Sequence, residues 1–197
     1  MEERGLSIAH TTIMRWVHQY GPQLEEKARH HLTSPNDSWR VDETYIKVKG
    51  QWMYLYCAVD SEGNTIDFYL SKSRDKQAAK RFFKKALAFS YISKPRVITV
   101  DKNPAYPVAI QRLKEEKPMP EGIKIWKVRY LDNIVEQDYR FIKKRVRSML
   151  GLQSFKTATS ILSGIEAMHM MKKGQLVLNK SVQNQKQFIH KLFGLSS

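Results

Sequence analysis

Residues 38–73, SWRVDETYIKVKGQWMYLYCAVDSEGNTIDFYLSKS, hold three runs of β-branched and aromatic residues separated by Lys49-Gly50 and by Glu62-Gly63-Asn64. Strand-forming runs set apart by turn-forming pairs at this interval specify consecutive hairpins, so the segment predicts three antiparallel strands. The second run, WMYLYCAV, is apolar throughout and is expected to be covered on both faces. The stretch RDKQAAKRFFKKALAFSY then reads as a helix, PRVITVD as a buried parallel strand, residues 104–116 as a helix and IKIWKV as a further strand. A helix follows from DNIVEQDYRFIKKR towards Leu150. Another spans about Thr157–Lys173, with Ala158, Ile161, Leu162, Ile165 and Met168 inward and Gly174 as its stop. This order predicts the α/β class: a mixed five-stranded sheet flanked by helices.

Ahead of the strands, Ile13, Trp16, Val17 and Tyr20 fall at helical spacing and predict one buried stripe, with Gly21-Pro22 ending the helix. The opposite face carries Thr11, Arg15, His18 and Gln19, a set able to touch bases or phosphates. The recognition helix of a helix-turn-helix has this form, and so does a plain surface helix with a polar face. Residues 23–38 read as a connecting helix and linker. The expected organisation is a partial helix-turn-helix and linker at 1–34, a catalytic α/β domain at 35–175 and a weakly patterned basic tail at 176–197.

Charge narrows the partner. A net charge of +15 and a pI near 9.9 favour binding to a phosphate backbone through counterion release. A ribosomal or membrane-surface protein has the same balance, so charge alone identifies a polyanionic partner. The single cysteine, Cys57, excludes an internal disulfide and a cysteine-rich zinc site, and suits a reducing cytoplasm. Six scattered histidines form no metal-ligand spacing. No apolar stretch of about 20 residues exists, and Met1-Glu2-Glu3-Arg4 does not open a signal peptide. A cytoplasmic location without a membrane partner is therefore expected.

Position in the predicted architecture selects among the carboxylates. Asp101 closes the strand VITVD, and the carboxyl ends of strands in an open α/β sheet are where ligands bind. Asp42 lies inside the first strand, where an ionised side chain is costly unless paired or metal-bound. Strand alternation puts Asp42 on one face with Thr44, Ile46 and Val48, and turns Glu43 to the other. In the later helix Glu136, Arg140 and Lys143 share a face, with Asp132 one turn earlier and Asp138 off it. Each acid also has a structural reading: Asp101 as a helix cap, Asp42 as the partner of a buried arginine, Glu136–Arg140 as a surface ion pair. Taken together, Asp42, Asp101 and Glu136 would gather two divalent cations, with oxygen ligands favouring Mg²⁺ or Mn²⁺ over zinc.

The segments WRVDETYIKVKGQWMYLYCAVDSEGNTIDFYLS, VITVDKNPAY, DNIVEQDYRFIKKR and SGIEAMHMMKKGQ resemble the transposases of the bacterial insertion-sequence 6 family, from about Gly5 to Gln175. The resemblance implies a ribonuclease H-like core, as in other DDE transposases and retroviral integrases. It implies Asp42, Asp101 and Glu136 as the metal-binding triad, spaced by 59 and 35 positions (101 − 42 and 136 − 101), and Lys143, seven positions after Glu136, as the basic helper near DNA. Arg140, Lys144 and Arg147 would join Lys143 in holding the DNA. The implied reaction is Mg²⁺-dependent strand cleavage and strand transfer, by a dimer or larger oligomer that brings two element ends together with target DNA. Two departures stand out. The chain is expected to begin within its helix-turn-helix, and Asp132-Asn133 stands where relatives commonly carry two asparagines. A truncated copy that only binds DNA and a ribonuclease H-like nuclease are the alternatives.

Overall fold

The computed structural model describes residues 8–88, 94–101, 103–116, 119–128, 133–148, 152–177 and 185–195. In chain order the elements are α1 (His10–Arg29), β1 (Ser38–Val48), β2 (Gln51–Asp60), β3 (Thr65–Ser71), α2 (Lys76–Leu87), β4 (Val97–Val100), α3 (Ala105–Glu115), β5 (Lys124–Lys127), α4 (Asn133–Ser148), α5 (Phe155–Lys172) and α6 (Gln185–Leu192). They form two compact units. One is 34–153, and the other joins the residues before 34 to those after 153.

The larger unit is the predicted mixed sheet, in the order β3-β2-β1-β4-β5. β1, β2 and β3 pair antiparallel, whereas β4 runs parallel to β1 and β5 parallel to β4. Lys49 and Gly50 both take positive φ, 48° and 78°, the backbone a two-residue hairpin needs to follow strand twist. The next turn is built on Asp60. Fully buried, its carboxylate accepts from the amides of Asn64 at 2.8 Å, Glu62 at 3.0 Å and Asn36 at 3.1 Å. The core on one sheet face unites Trp39, Val41 and Tyr56 with Phe82 and Phe83 of α2 and Tyr106 and Ile110 of α3. Asp75 fixes the start of α2 by accepting from the Ala78 amide at 2.8 Å. α4 packs on β1 and β2, and its buried Asp138 accepts from the Thr65 hydroxyl at 2.7 Å. Cys57 is wholly buried, a core filler as expected.

In the smaller unit α1 packs along α5. Buried Arg29 reaches Glu166 at 3.1 Å and Glu25 at 2.6 Å. Gly21-Pro22 does not end α1, contrary to the sequence reading: the helix runs on to Arg29 with Pro22 inside it. The missing cost is explained by packing. Gly21 lies against Gly164 of α5 so closely that a Cβ there would stand 2.8 Å from the Ser160 carbonyl oxygen. The glycine serves the helix–helix contact, and tertiary packing outweighs the one hydrogen bond that Pro22 removes.

Two further expectations are corrected. The stripe Ile13, Trp16, Val17, Tyr20 is not a buried one: Ile13 and Val17 are half-buried, and Trp16 and Tyr20 are exposed, because α1 is buried instead at Gly21, Ala28 and Arg29. The weakly patterned tail contains α6, whose Phe188 packs with Ala28, Met171 and Leu176. By contacts, α5 groups with α1. Helical periodicity identifies the buried face of α5 but not the surface it meets. The turn expected at Gly5–Ser7 lies outside the described residues.

Gly21→Ala is expected to lower stability by about 1–3 kcal/mol in urea denaturation, because the added methyl must displace backbone. Gly122→Ala, whose Cβ would meet no atom within 4 Å, should stay within about 0.5 kcal/mol. Equal effects at the two positions would contradict the close α1–α5 approach.

Candidate active site

Strand register creates the site. Val41 of β1 pairs with Val100 of β4, so the next residues, Asp42 and Asp101, stand side by side where β4 ends. Asp101 begins the loop to α3 and accepts from the Asn103 amide at 3.0 Å, while Asn103 in turn accepts from the Ala105 amide at 3.0 Å. These two turns start α3 and fix both side chains. Carboxylate oxygens of Asp42, Asp101 and Glu43 lie within 4.8 Å of one another, close enough to share a cation.

Such crowding raises proton affinity. Burial, with the charges of Glu43 and Asp101 adding to it, lifts the Asp42 carboxyl from 3.8 to about 6, against a lowering by the Glu43 amide and Arg74. Burial likewise raises Asp101, helped by Glu43 and opposed by the Asn103 amide and Arg74. Burial would lower Arg74, yet Glu43, Tyr45 and Asp101 together raise it and keep it charged.

Glu43 is the member of this carboxylate cluster that sequence reasoning did not select. It points to the opposite face from Asp42, as alternation predicts, and is there tied to Arg74, to the Tyr106 hydroxyl and to the Asn103 side-chain amide at 3.0 Å. Arg74 also reaches Asp101 at 3.7 Å. The signal was the adjacent pair Asp42-Glu43 in a strand, together with Asn103 and Tyr106 just after Asp101. What alternation alone could not supply was the loop geometry that brings both faces to one point.

On the other side of the sheet, Lys143 of α4 donates to the Thr44 hydroxyl at 2.7 Å. Thr44 shares the Asp42 face of β1, so the face of α4 that carries Lys143 lies over that face. Glu136, two turns earlier on the same face, is exposed and pairs with Arg140 at 3.0 Å. It lies outside the Asp42–Glu43–Asp101 group. Lys144 and Arg147 are exposed on α4. On α1, Thr11, Arg15 and Gln19 are exposed and His18 is half-buried. Asp132 lies outside the described residues.

A mixed five-stranded sheet in the order β3-β2-β1-β4-β5, with one carboxylate midway along β1 and one just after β4, is a fold shared with the catalytic core domains of retroviral integrases. The HTLV-2 integrase catalytic core domain, solved with magnesium in a dimeric form, matches with a TM-score of 0.51 over 67% of this chain and 85% of that one, at 21% identity. Its trimeric form matches at 0.52, over 78% and 96%. At this identity the likeness is one of fold. The family follows from sequence. Residues 36–175 match the family model DDE_Tnp_IS240, a DDE domain. The transposase for insertion sequence-like element IS431mec of Staphylococcus aureus is 38% identical over 88% of this chain and 75% of its own length. The transposase for insertion sequence element IS257 in transposon Tn4003, also from Staphylococcus aureus, is 39% identical over 86% and 73%. The chain belongs to the DDE transposases of the insertion-sequence 6 family, enzymes of the polynucleotidyl transferase class that act on DNA. Among the described residues no helix is long and apolar enough to cross a membrane.

Asp42 binds its proton more tightly folded than unfolded, so without metal the fold loses stability as pH rises from about 4 to about 6. In chelator, Asp42→Asn is expected to stabilise the protein at pH 7 by the order of 1–2 kcal/mol, a gain that fades towards pH 4. Thermal denaturation across this range checks it. A gain independent of pH would contradict the raised carboxyl.

Proposed function

We propose that the chain cleaves DNA strands and transfers them to target DNA with divalent metal, Mg²⁺ or Mn²⁺, held by Asp42, Asp101 and Glu136. The observation that carries this reading is the Asp42–Asp101 pair. Two half-buried carboxylates of raised proton affinity, with Arg74 as the cation beside them, suit a doubly charged, oxygen-preferring ion. Two such ions, when bound, supply Lewis-acid activation of the attacking hydroxyl and neutralisation at the leaving oxygen.

Glu136 is the preferred third ligand over the nearer Glu43 because of what already holds each. Glu43 is committed to Arg74, Asn103 and Tyr106 on the α3 side. Glu136 makes an exposed i,i+4 ion pair, worth about 0.3–0.5 kcal/mol, and a rotamer change frees it. Lys143, docked on Thr44 beside the Asp42 face, is proposed to hold a scissile-strand phosphate, a role its position supports. Arg140, Lys144 and Arg147 extend this basic surface along α4, and Thr11, Arg15, His18 and Gln19 of α1 are proposed to contact the element's ends. Bringing two ends together requires a dimer or larger assembly. The proposed domains are a DNA-recognition segment at 1–34, the catalytic domain at 35–175 and a basic tail at 176–197.

Asp42→Asn and Asp101→Asn are each expected to lower Mg²⁺-dependent strand transfer on DNA with the element's ends by about 1,000-fold or more, the loss of a metal site's several kcal/mol. Glu136→Gln should match them and Glu43→Gln should retain more activity, as a positioning residue. The reverse order would make Glu43 the ligand. Lys143→Ala is expected to weaken DNA binding about threefold to tenfold and to flatten the salt dependence, with metal binding intact. Tight DNA binding by all variants with no strand transfer by the parent would favour the binding-only reading.

A further inference from the structure

The sheet face that carries Glu43 changes character towards the β1–β2 hairpin. Opposed pairs on this face are Glu43 with Tyr56, Tyr45 with Tyr54 and Lys47 with Trp52. Tyr56 is fully buried against Phe82 and Tyr106 of the helices. Beyond it the helical cover ends: Tyr45 is 47% exposed and Trp52 is 64% exposed. The Tyr45 and Tyr54 rings lie 5.2 Å apart, and the Lys47 ammonium sits 5.5 Å from the Trp52 ring centre. Lys49 stands exposed at the tip, and Arg74 lies close enough for Tyr45 to raise its pKa. Two large aromatic rings, flanked by cations, thus form an exposed ledge running from the carboxylate cluster to the hairpin end, about 13 Å along the strand.

We propose that this ledge is a stacking platform for unpaired bases of the DNA strand that enters the carboxylate site. The inference rests on the nucleic-acid reading above. Aromatic faces beside Lys47, Lys49 and Arg74 match a strand that is both polyanionic and aromatic. A paired base keeps its faces within the duplex stack, so the ligand is a single strand or a frayed end. Charge argues against a second copy of this chain as the occupant, since a two-fold contact through this patch would oppose like charges.

Anisotropy with dye-labelled oligo-dT and with a duplex of equal length, at two salt concentrations, tests the proposal on the whole chain. Trp52→Ala is expected to weaken oligo-dT binding about tenfold and duplex binding less than about twofold, with an unchanged salt slope, while Trp52→Phe binds like the parent. Tyr45→Ala should weaken oligo-dT binding in the same selective way, an independent check if Trp52→Ala unfolds. Equal oligo-dT affinity in parent, Trp52→Ala and Tyr45→Ala overturns the platform. So does a fall in sedimenting mass of the DNA-free protein on Trp52→Ala, which assigns the ledge to self-association. Measured in chelator, where metal-dependent strand transfer is absent, the selective loss on Trp52→Ala should persist, so that failure of the platform and failure of the catalytic reading are told apart.

Discussion

The pairing of β1 with β4 sets everything else in the catalytic unit. Once Val41 is opposite Val100, the residue that follows each is an aspartate, and two carboxylates are forced together where β4 ends beside the central strand. Burial raises the proton affinity of both, and neighbouring negative charge adds to it: Glu43 and Asp101 at Asp42, and Glu43 at Asp101. The fold tolerates the pair because the strands on either side are secured independently. β1 has a ten-residue antiparallel partner in β2, and α2 and α3 cover one face with fully buried aromatics. Arg74 offsets only part of this negative charge, and the proposed divalent cation would offset the rest.

Because β1 is central, both of its faces meet at this point and do different work. The odd-numbered face turns Glu43 towards α3 and Arg74, which braces the loop after Asp101 through Asn103 and Tyr106. The even-numbered face presents Asp42 and Thr44 to α4, where Lys143 is docked. In the proposed mechanism the first face holds geometry and the second handles metal and DNA. The ledge of Tyr45 and Trp52 belongs to the first face, beyond the reach of its covering helices.

Much of this was legible in the sequence because it is written in local chemistry. Runs of β-branched and aromatic residues punctuated by Lys49-Gly50 and Glu62-Gly63-Asn64 gave β1, β2 and β3, and the apolar VITV before an aspartate gave β4. Helical spacing put Glu136 and Lys143 on one face and Asp138 off it, and Asp138 is buried against Thr65. What local pattern did not carry was packing between distant segments. Gly21-Pro22 has every local mark of a helix end, yet the need for close approach to Gly164 keeps α1 running. The partners of Glu43 come from two distant segments, the loop before α2 and the start of α3, and no periodicity links them. The exposure of Trp16, Tyr20 and Trp52 depends on where neighbouring helices stop, which a stripe of apolar residues does not specify.

The proposed chemistry depends on a divalent cation held between Asp42 and Asp101. Anomalous diffraction from crystals of the full chain soaked in Mn²⁺ locates that ion directly. The predicted result is a peak between the Asp42 and Asp101 carboxylates, with the Glu136 carboxylate released from Arg140 to complete the coordination. Mn²⁺ absent from Asp42 and Asp101 at saturating concentration, or bound there with Glu43 drawn away from Arg74 and Glu136 still paired to Arg140, would contradict it.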